Sequence, residues 1–294
     1  MTQIKAQLFY ESDCLLGEGP LWDFENKKIY WVDIEGCKVH SLDLINKEHK
    51  FWRTPAMVGA VSLTNKKDIL LLGMQGQLAL LNTISDNIEV CGKIDESKTK
   101  NRCNDGQIDA LGRLWIGTMQ VSNQKNEGSL FCVSSDMKPA VKLTNLGISN
   151  GIGWSLDDKT LYFIDSMDNC IKAFDFDLLN KNIGEPITIY KVKKDEVPDG
   201  MCVDSEGMLW VAFWDGFRVA RINPNSGEEI AEVVVPVPLV TSCTFVGENL
   251  DQLIITTARV GLSKEQLETY PLSGSIFITN PGTTGRKVNV FECG

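Results

Sequence analysis

A short apolar pattern recurs along this chain at nearly even intervals. Its copies begin at Ile29, Ile69, Leu114, Leu161, Leu209 and Leu253. The first residues of successive copies lie 40, 45, 47, 48 and 44 positions apart. A period of about 40 to 50 residues, with only strand-like runs inside it, is typical of the blades of a propeller. The sequence therefore predicts an all-β fold, a six-bladed β-propeller, in which these runs form the second strand from the axis of each blade.

Alternating apolar and polar residues follow each copy and predict a third strand in every repeat. These segments span 39–44, 78–81, 129–133, 171–176, 218–222 and 275–278. Only 263–269 has a helical pattern, and it falls between the second and third strands of the last repeat. The strand-like ends, 4–9 and 287–291, are expected to complete the last blade singly or together, which would close the ring without a free edge. No linker divides the chain, so residues 1–294 are expected to form one propeller domain.

Composition and charge limit the classes of partner. A net charge of −10 and a pI near 4.8 argue against nucleic-acid binding, because that binding depends on Lys and Arg neutralising phosphates. No apolar run approaches the ~20 residues that span a bilayer, and the first residues lack the pattern of a signal peptide. The nine cysteines are scattered without a C-x-x-C pair, as expected of buried thiols in a reducing compartment. We therefore expect a cytoplasmic protein with neither a nucleic-acid nor a membrane partner.

Polar residues occupy five of the six positions at which the innermost strands are predicted to begin, ten or eleven residues before each apolar copy. These positions are Glu18, Val58, Asn104, Asn150, Asp199 and Ser242. Since the repeat places them at one level of a ring, their side chains are expected to converge at one mouth of the central channel. Two carboxylates and two amides favour a hard divalent cation, Ca²⁺, Mg²⁺ or Mn²⁺, and Zn²⁺ also accepts carboxylates.

The same segments allow a structural interpretation. Asn and Asp before Gly are common turn dipeptides, and Asn104, Asn150 and Asp199 all stand in such a context. Glu18 is a poor turn former in the same register, and the turn interpretation does not explain it.

Several motifs together resemble the SMP-30/gluconolactonase/luciferin-regenerating-enzyme family over nearly the whole chain. They are Leu16-Gly-Glu-Gly-Pro-Leu-Trp-Asp23, Asn101-Arg-Cys-Asn-Asp-Gly106, Gly117-Thr-Met119, Ser149-Asn-Gly-Ile-Gly-Trp-Ser155 and Pro198-Asp-Gly-Met-Cys-Val-Asp204. The resemblance implies a six-bladed propeller with one divalent metal, Ca, Mg, Mn or Zn, at the channel mouth. It assigns the metal to Glu18, Asn150 and Asp199, and the hydroxyl groups of the substrate to Arg102 and Asn104.

The resemblance also implies a metal-dependent lactonase acting on a small sugar lactone such as gluconolactone. Such a reaction needs a polarised carbonyl, a nucleophilic water and a proton shuttle, and Asp199 is the expected catalytic residue. Many lactonases of this family carry an acidic residue shortly after Gly-Thr-Met, whereas this chain continues Gln120-Val-Ser-Asn123. That substrate contact is therefore missing or replaced.

Other catalytic sites are disfavoured. Gly147-Ile-Ser-Asn-Gly151 matches G-x-S-x-G, but that motif needs a strand-to-helix elbow and a later histidine. His40 and His49, the only histidines, precede it and are expected on the solvated side of blade 1. Two alternatives to the sugar lactonase stay open, namely a hydrolase of another ester or phosphoester and a non-catalytic calcium-binding regulatory propeller.

Overall fold

The computed structural model describes residues 2–193 and 195–294, which form six sheets arranged as the blades of a propeller. Two short strands come first, β1 (Thr2–Lys5) and β2 (Gln7–Tyr10). Blade 1 contains β3 (Gly17–Asp23), β4 (Lys28–Asp33), β5 (Lys38–Asp43) and β6 (His49–Arg53). Blade 2 contains β7 (Val58–Leu63), β8 (Ile69–Met74), β9 (Gln77–Asn82) and β10 (Ile88–Lys93). Blade 3 contains β11 (Asn101–Ile108), β12 (Leu114–Gln120), β13 (Gly128–Val133) and β14 (Pro139–Leu146).

The second half of the chain repeats this arrangement. Blade 4 contains β15 (Ser149–Trp154), β16 (Thr160–Asp165), β17 (Cys170–Asp177) and β18 (Asn182–Lys191). Blade 5 contains β19 (Val197–Val203), β20 (Leu209–Trp214), β21 (Arg218–Asn223) and β22 (Glu228–Val234). Blade 6 contains β23 (Val240–Val246), β24 (Gln252–Thr257) and β25 (Ile276–Thr279). The predicted six-bladed propeller is confirmed, and the apolar copies found in the sequence are the second strands of its blades.

Aspartates at the end of the inner strands hold the first turn of several blades. In blade 3, Asp109 Oδ1 accepts hydrogen bonds from the backbone N–H groups of Leu111 and Arg113, and Asp109 Oδ2 accepts one from Trp115 Nε1. In blade 5, Asp204 bonds in the same way to the turn that follows it and to Trp210 Nε1. Each carboxylate thus joins its turn to a fully buried tryptophan of the second strand, which fixes the register of the hairpin.

The N-terminal strands close the ring, as predicted for at least one end of the chain. β2 pairs with β25 and becomes the fourth strand of blade 6, while β1 pairs in parallel with β22 at the outer edge of blade 5. The prediction of a strand at 287–291 is wrong. This segment forms only an isolated bridge between Phe291 and Thr64 and contacts the inner strand of blade 3, where Asn289 Nδ2 donates to Ile108 O. It crosses one end of the propeller because Phe291 is fully buried against blades 2 and 3.

Each inner strand contacts the inner strand of the next blade, and β23 contacts β3, so the ring is continuous around the channel. All of these strands carry a β-bulge near their start, where the side chains predicted to converge are found. The bulges lie between Glu18 and Leu21, Val58 and Ala60, Cys103 and Gly106, Asn150 and Ile152, Pro198 and Met201, and Val240 and Ser242. A bulge bends its strand and redirects side chains.

The turn interpretation of the Asn-Gly and Asp-Gly dipeptides is wrong, since these residues lie inside strands. The glycines are needed for a different reason, the close approach of neighbouring inner strands. A Cβ on Gly151 would lie 2.8 Å from the backbone oxygen of Asp199, and one on Gly200 would lie 2.3 Å from Ser242 Oγ.

Helix is scarce, as the sequence predicted. Helix α1 (Lys264–Thr269) lies between β24 and β25, and a capping box between Ser263 and Gln266 holds its first turn. In the described part of the chain, no helix is long and apolar enough to cross a membrane. All nine cysteines are free thiols. Five of them are buried as expected, whereas Cys37, Cys91, Cys202 and Cys293 are partly exposed.

Candidate active site

The predicted site residues lie at the bulged ends of four inner strands. Glu18 is on β3, Arg102 and Asn104 are on β11, Asn150 is on β15 and Asp199 is on β19. All five side chains are buried. At the remaining two positions of the same register, Val58 on β7 packs in the hydrophobic core and Ser242 on β23 is a buried hydroxyl residue.

Hydrogen bonds connect the site residues of blades 3 and 4. Arg102 Nη1 donates to Asn104 Oδ1 at 2.5 Å and to the backbone oxygen of Cys103 at 3.0 Å. Asn104 Nδ2 donates in turn to Ser149 O at 2.8 Å and to Asn150 Oδ1 at 3.1 Å. The amide of Asn104 therefore joins the arginine of one blade to the asparagine of the next, and its own orientation is fixed from both sides.

Ser166 is a site residue that the sequence did not indicate. It begins a 3₁₀ turn, Ser166–Asp168, directly after β16. Its hydroxyl donates to Pro198 O at 2.7 Å and accepts from Asn150 Nδ2 at 2.9 Å. Because a serine hydroxyl has one hydrogen and Pro198 O takes it, the Asn150 atom that faces Ser166 must be the nitrogen. Asn150 Oδ1 is thereby held on the side of Asn104.

The surroundings of the site disfavour ionisation of its carboxyl groups. The pKa of Glu18 lies well above its usual value, mainly because the group is buried and further because Asp199 and Asp105 are close. Burial is also the main cause of the raised pKa of Asp199, with the charge of Asp105 next, and the Arg102 guanidinium opposes both shifts. Burial and like charge therefore dominate over the single arginine.

Asp105 is the third carboxylate and was not among the predicted site residues. It lies next to Asn104 on the bulge of β11, and burial raises its pKa to about 7 although the backbone N–H of Gly106 donates to Asp105 Oδ1 at 2.7 Å. Its side chain lines a narrow space inside the channel together with Ser62, Gln107 and Asn289. The Asn-Asp-Gly sequence suggested a turn, and only the bulge shows that Asp105 points into the channel.

The raised pKa of Asp105 predicts a pH-dependent contribution to stability. The folded protein binds this proton more tightly than the unfolded chain, so stability falls as pH rises from about 4 to about 7. Asp105→Asn should therefore raise the free energy of unfolding at pH 8 in the presence of EDTA. The gain is at most about 4 kcal/mol, at about 1.4 kcal/mol per pKa unit, and smaller because the side chain is only partly buried.

Denaturation of both proteins in EDTA across pH 4 to 8 checks this prediction. The difference in unfolding free energy between Asp105→Asn and the wild type should shrink as the pH is lowered and vanish near pH 4. A difference that stays constant with pH would contradict it.

The donor set fits a divalent cation. With Glu18, Asp105 and Asp199 ionised and Arg102 protonated, the site carries three negative charges and one positive charge, a net −2. A cation would remove the repulsion that raises the carboxyl pKa values. The available ligand atoms are carboxylate and amide oxygens, which suit hard cations of this charge.

The residue after Gly-Thr-Met is Gln120, which has a neutral side chain. Gln120 ends β12, and its backbone pairs with Asn101, one residue before Arg102. The buried Gln120 side chain accepts a hydrogen bond from Ser122 Oγ and donates to Gln124 Oε1 at 3.3 Å. The Gln120 side chain is thus held by the loop that follows it, and the residue that pairs with Arg102 is Met119.

The serine-hydrolase interpretation of Gly147–Gly151 is excluded by the fold. Ser149 opens a strand, not a helix, and its hydroxyl has no hydrogen-bond partner among the described residues. Both histidines lie in blade 1. The expectation that they are solvated is wrong for His40, which is buried, stacks on Trp31 with ring centroids 5.0 Å apart, and faces Cys14 and Asp33. His49 is half-buried.

Comparison with known sequences and structures finds relatives over nearly the whole chain. A family model described as "SMP-30/Gluconolactonase/LRE-like region" matches residues 16–259. Regucalcin from Gallus gallus is 36% identical over 293 residues, covering 97% of both chains, and regucalcin from Homo sapiens is 35% identical over the same length and coverage. A solved calcium-binding protein, regucalcin from Agrobacterium tumefaciens, superimposes with a TM-score of 0.94 at 26% identity and covers 99% of both chains. A luciferin-regenerating enzyme superimposes with a TM-score of 0.90 at 29% identity, covering 97% of this chain and all of that one, 100%.

Proposed function

The chain belongs to the SMP-30/gluconolactonase/LRE-like family, and from that premise we propose that it is a metal-dependent hydrolase that opens a sugar lactone, such as gluconolactone or another aldonolactone. One observation supports this proposal above the others. Glu18 and Asp199 are buried and Asp105 is partly buried, and these carboxyl groups from three different blades are near enough for their charges to interact. They lie beside a buried arginine and two oriented amides. A purely structural site has no need to gather like charges that raise each other's pKa.

Under this proposal the cation is held by Glu18, Asn150 and Asp199. When bound, it polarises the lactone carbonyl as a Lewis acid and makes water more acidic. The amide oxygen of Asn150 is available for that role because Ser166 holds the nitrogen on the other side.

Arg102 and Asn104 bind the hydroxyl groups of the sugar. Only Nη1 of Arg102 makes a hydrogen bond within the described residues, and a guanidinium has five N–H groups, so most of its donors remain for substrate. Burial lowers the pKa of Arg102 and Glu18 opposes that shift. Hydrogen bonds from such a charged group to a substrate are stronger than neutral ones.

Asp199 moves the proton. Its carboxylate accepts a proton from the attacking water, the resulting hydroxide adds to the carbonyl carbon, and the bond from that carbon to the ring oxygen breaks. The departing ring oxygen takes the proton back from Asp199, which leaves an aldonic acid with an open chain. Burial raises the pKa of Asp199, which favours return of the proton to the ring oxygen.

Ser166→Ala tests the positioning of Asn150. Loss of the hydroxyl leaves Asn150 Nδ2 and Pro198 O without their partner and lets the amide turn. We expect metal affinity to fall by roughly 10- to 100-fold, the usual effect of removing a group that orients a ligand. Isothermal titration of the metal-free protein with Ca²⁺ or Mn²⁺ measures this loss.

Ser149→Ala is the matched control, because this neighbouring serine is equally buried but its hydroxyl has no hydrogen-bond partner among the described residues. It should bind metal as the wild type does. Equal affinities for Ser166→Ala and Ser149→Ala would contradict the orienting role of Ser166.

A pH-indicator assay with a panel of aldonolactones tests the proposed function. Acid release should require metal, stop in EDTA and return when Ca²⁺, Mg²⁺, Mn²⁺ or Zn²⁺ is added back. The panel includes simple aryl esters and phosphoesters, because a bound divalent cation also activates other carbonyl and phosphoryl groups. Metal binding without turnover of any lactone would overturn the proposal.

That last outcome would favour a second candidate, a calcium-binding regulatory propeller without turnover. Its specific support is that a solved relative is described as a calcium-binding protein and that residues 120–123 of this chain carry no acidic side chain. Arg102 and Asn104 support the enzyme instead, since neither is assigned to the metal and calcium binding alone does not require them.

A further inference from the structure

Three side chains outside the channel lie close together in blade 1. Cys14 is in the connection from β2 to β3, Asp33 ends β4 and His40 is in the middle of β5. One possible ligand atom from each lies within 4.8 Å of the other two, and Cys14 Sγ is 4.0 Å from His40 Nε2. All three residues are buried, with exposed fractions of 2% for Cys14, 2% for Asp33 and 5% for His40.

In blade 4 the residue equivalent to Asp33 serves as a comparison, because it belongs to no such cluster among the described residues. Asp165, at the place of Asp33 in the repeat, accepts hydrogen bonds from the backbone of Ile148 and, through Oδ2, from the backbone of Gly147. Asp33 Oδ1 accepts the corresponding bond from Leu16, but no hydrogen bond to its Oδ2 is found among residues 2–193 and 195–294.

The two other members of the cluster are also particular to blade 1. Counted from the aspartate, Cys14 corresponds to Leu146 in blade 4 and His40 corresponds to Lys172. Blade 1 therefore replaces an aliphatic and a cationic side chain with a thiol and an imidazole at one carboxylate. These three ligand types, in a buried position, are the set that zinc prefers.

The surroundings of His40 suit a ligand. Its Nδ1 is 3.0 Å from His49 Nε2, so a proton on Nδ1 donates there and leaves the Nε2 lone pair on the side of Cys14. Metal-binding histidines commonly have such a partner on the second ring nitrogen. Burial, with His49 and Lys38 adding to it, lowers the pKa of His40 to about 3, so the ring is neutral and able to ligate at physiological pH.

We propose that Cys14, Asp33 and His40 form a second metal site, separate from the channel, that binds a borderline divalent cation of the Zn²⁺ class through sulfur, oxygen and nitrogen. Binding replaces the thiol proton of Cys14 with the metal, and that proton passes to solvent. Zinc–ligand bonds of about 2.0 to 2.3 Å place neighbouring ligand atoms about 3.3 to 3.8 Å apart. The 4.0 Å between Cys14 Sγ and His40 Nε2 therefore shortens by a few tenths of an ångström, and no pair within the 4.8 Å limit shortens by more than about 1.5 Å. Water completes the fourth position.

The second site lies where the chain enters blade 1, and this location indicates a structural role. Cys14 belongs to the connection that leads from the closing strand of blade 6 into β3, four residues before Glu18. A cation bound to Asp33 and His40 of blade 1 fixes that connection to the sheet it enters. The second site therefore stabilises ring closure and does not take part in lactone hydrolysis.

Titration of the metal-free protein with Co²⁺, followed by near-ultraviolet and visible absorption, tests the proposal. We expect a thiolate-to-cobalt charge-transfer band in the wild type and also in Glu18→Gln, in which the channel site is impaired. Cys14→Ser should lose the band and bind one Zn²⁺ fewer per chain by elemental analysis. Cys132→Ser, which alters another buried thiol in blade 3, is the matched control and should keep both.

His40→Gln provides the same test should Cys14→Ser fail to fold, since it keeps the thiol and removes the nitrogen ligand. The expected result is loss of the band or a fall in Co²⁺ affinity of at least tenfold. Absence of the band from the wild type, or its persistence in Cys14→Ser, would overturn the second site. Neither outcome bears on the lactonase, because the Glu18→Gln background separates the two sites.

Discussion

Asp199→Asn is expected to lower kcat for lactone hydrolysis by roughly 10²- to 10⁴-fold, the range for loss of a general base. The substitution keeps an oxygen for the metal but removes the only group assigned to move the proton. Metal affinity should therefore fall modestly, and excess metal should not restore the rate. Initial rates on the best aldonolactone, measured from limiting to saturating metal, give kcat and the apparent metal affinity separately.

The same metal titration can contradict the prediction for Asp199→Asn. A near-wild-type kcat at high metal would make Asp199 a ligand only and would assign proton transfer to water or to Asp105. Asp105→Asn is the matched control, because it removes a neighbouring carboxylate from the same channel mouth that is not assigned to catalysis. Its kcat should change far less than that of Asp199→Asn.

Glu18→Gln is expected to weaken metal binding by about 10²-fold or more, since removal of a group that merely orients a ligand already costs 10- to 100-fold. Saturating metal should recover much of kcat, because Asp199 is intact. In EDTA, the same substitution should raise the melting temperature. Glu18 is buried beside Asp199 and Asp105, and the neutral amide removes that repulsion.

Calorimetric titration and thermal denaturation, each with and without metal, measure both effects. The expected pattern has opposite signs, with the variant more stable than the wild type in EDTA and less stabilised by added metal. Ser242→Ala, which changes a hydroxyl at the same level of the ring, should shift neither quantity much. Unchanged metal affinity in Glu18→Gln would remove Glu18 from the proposed metal site.

The blade architecture was predictable because it follows from local patterns that the sequence repeats. The alternation of apolar and polar residues determines which face of each strand is buried, and the period of 40 to 48 residues determines the number of blades. The closing strand at the N-terminus was predictable for the same reason. The C-terminal segment has a similar alternation, yet it crosses the end of the propeller because Phe291 is buried against two other blades.

The level of the site also followed from the sequence. Glu18, Asn104, Asn150 and Asp199 occupy equivalent positions in their repeats, and in a closed ring equivalent positions face a common axis. Spacing within each repeat was enough for this inference. It required no knowledge of which blades are adjacent.

The tertiary structure alone decided the contacts around that level. The bulge in β11 turns Asp105 into the channel, and Ser166 reaches Asn150 from a turn that the repeat does not specify. Cys14 and His40 meet at Asp33 only because the closing strand brings the N-terminal connection onto blade 1. By itself the sequence determined the fold and the level of the site, because both follow from periodicity along one strand. Hydrogen bonds, like-charge repulsion and pKa shifts depend on distances between strands of different blades, and only closure of the ring sets those distances.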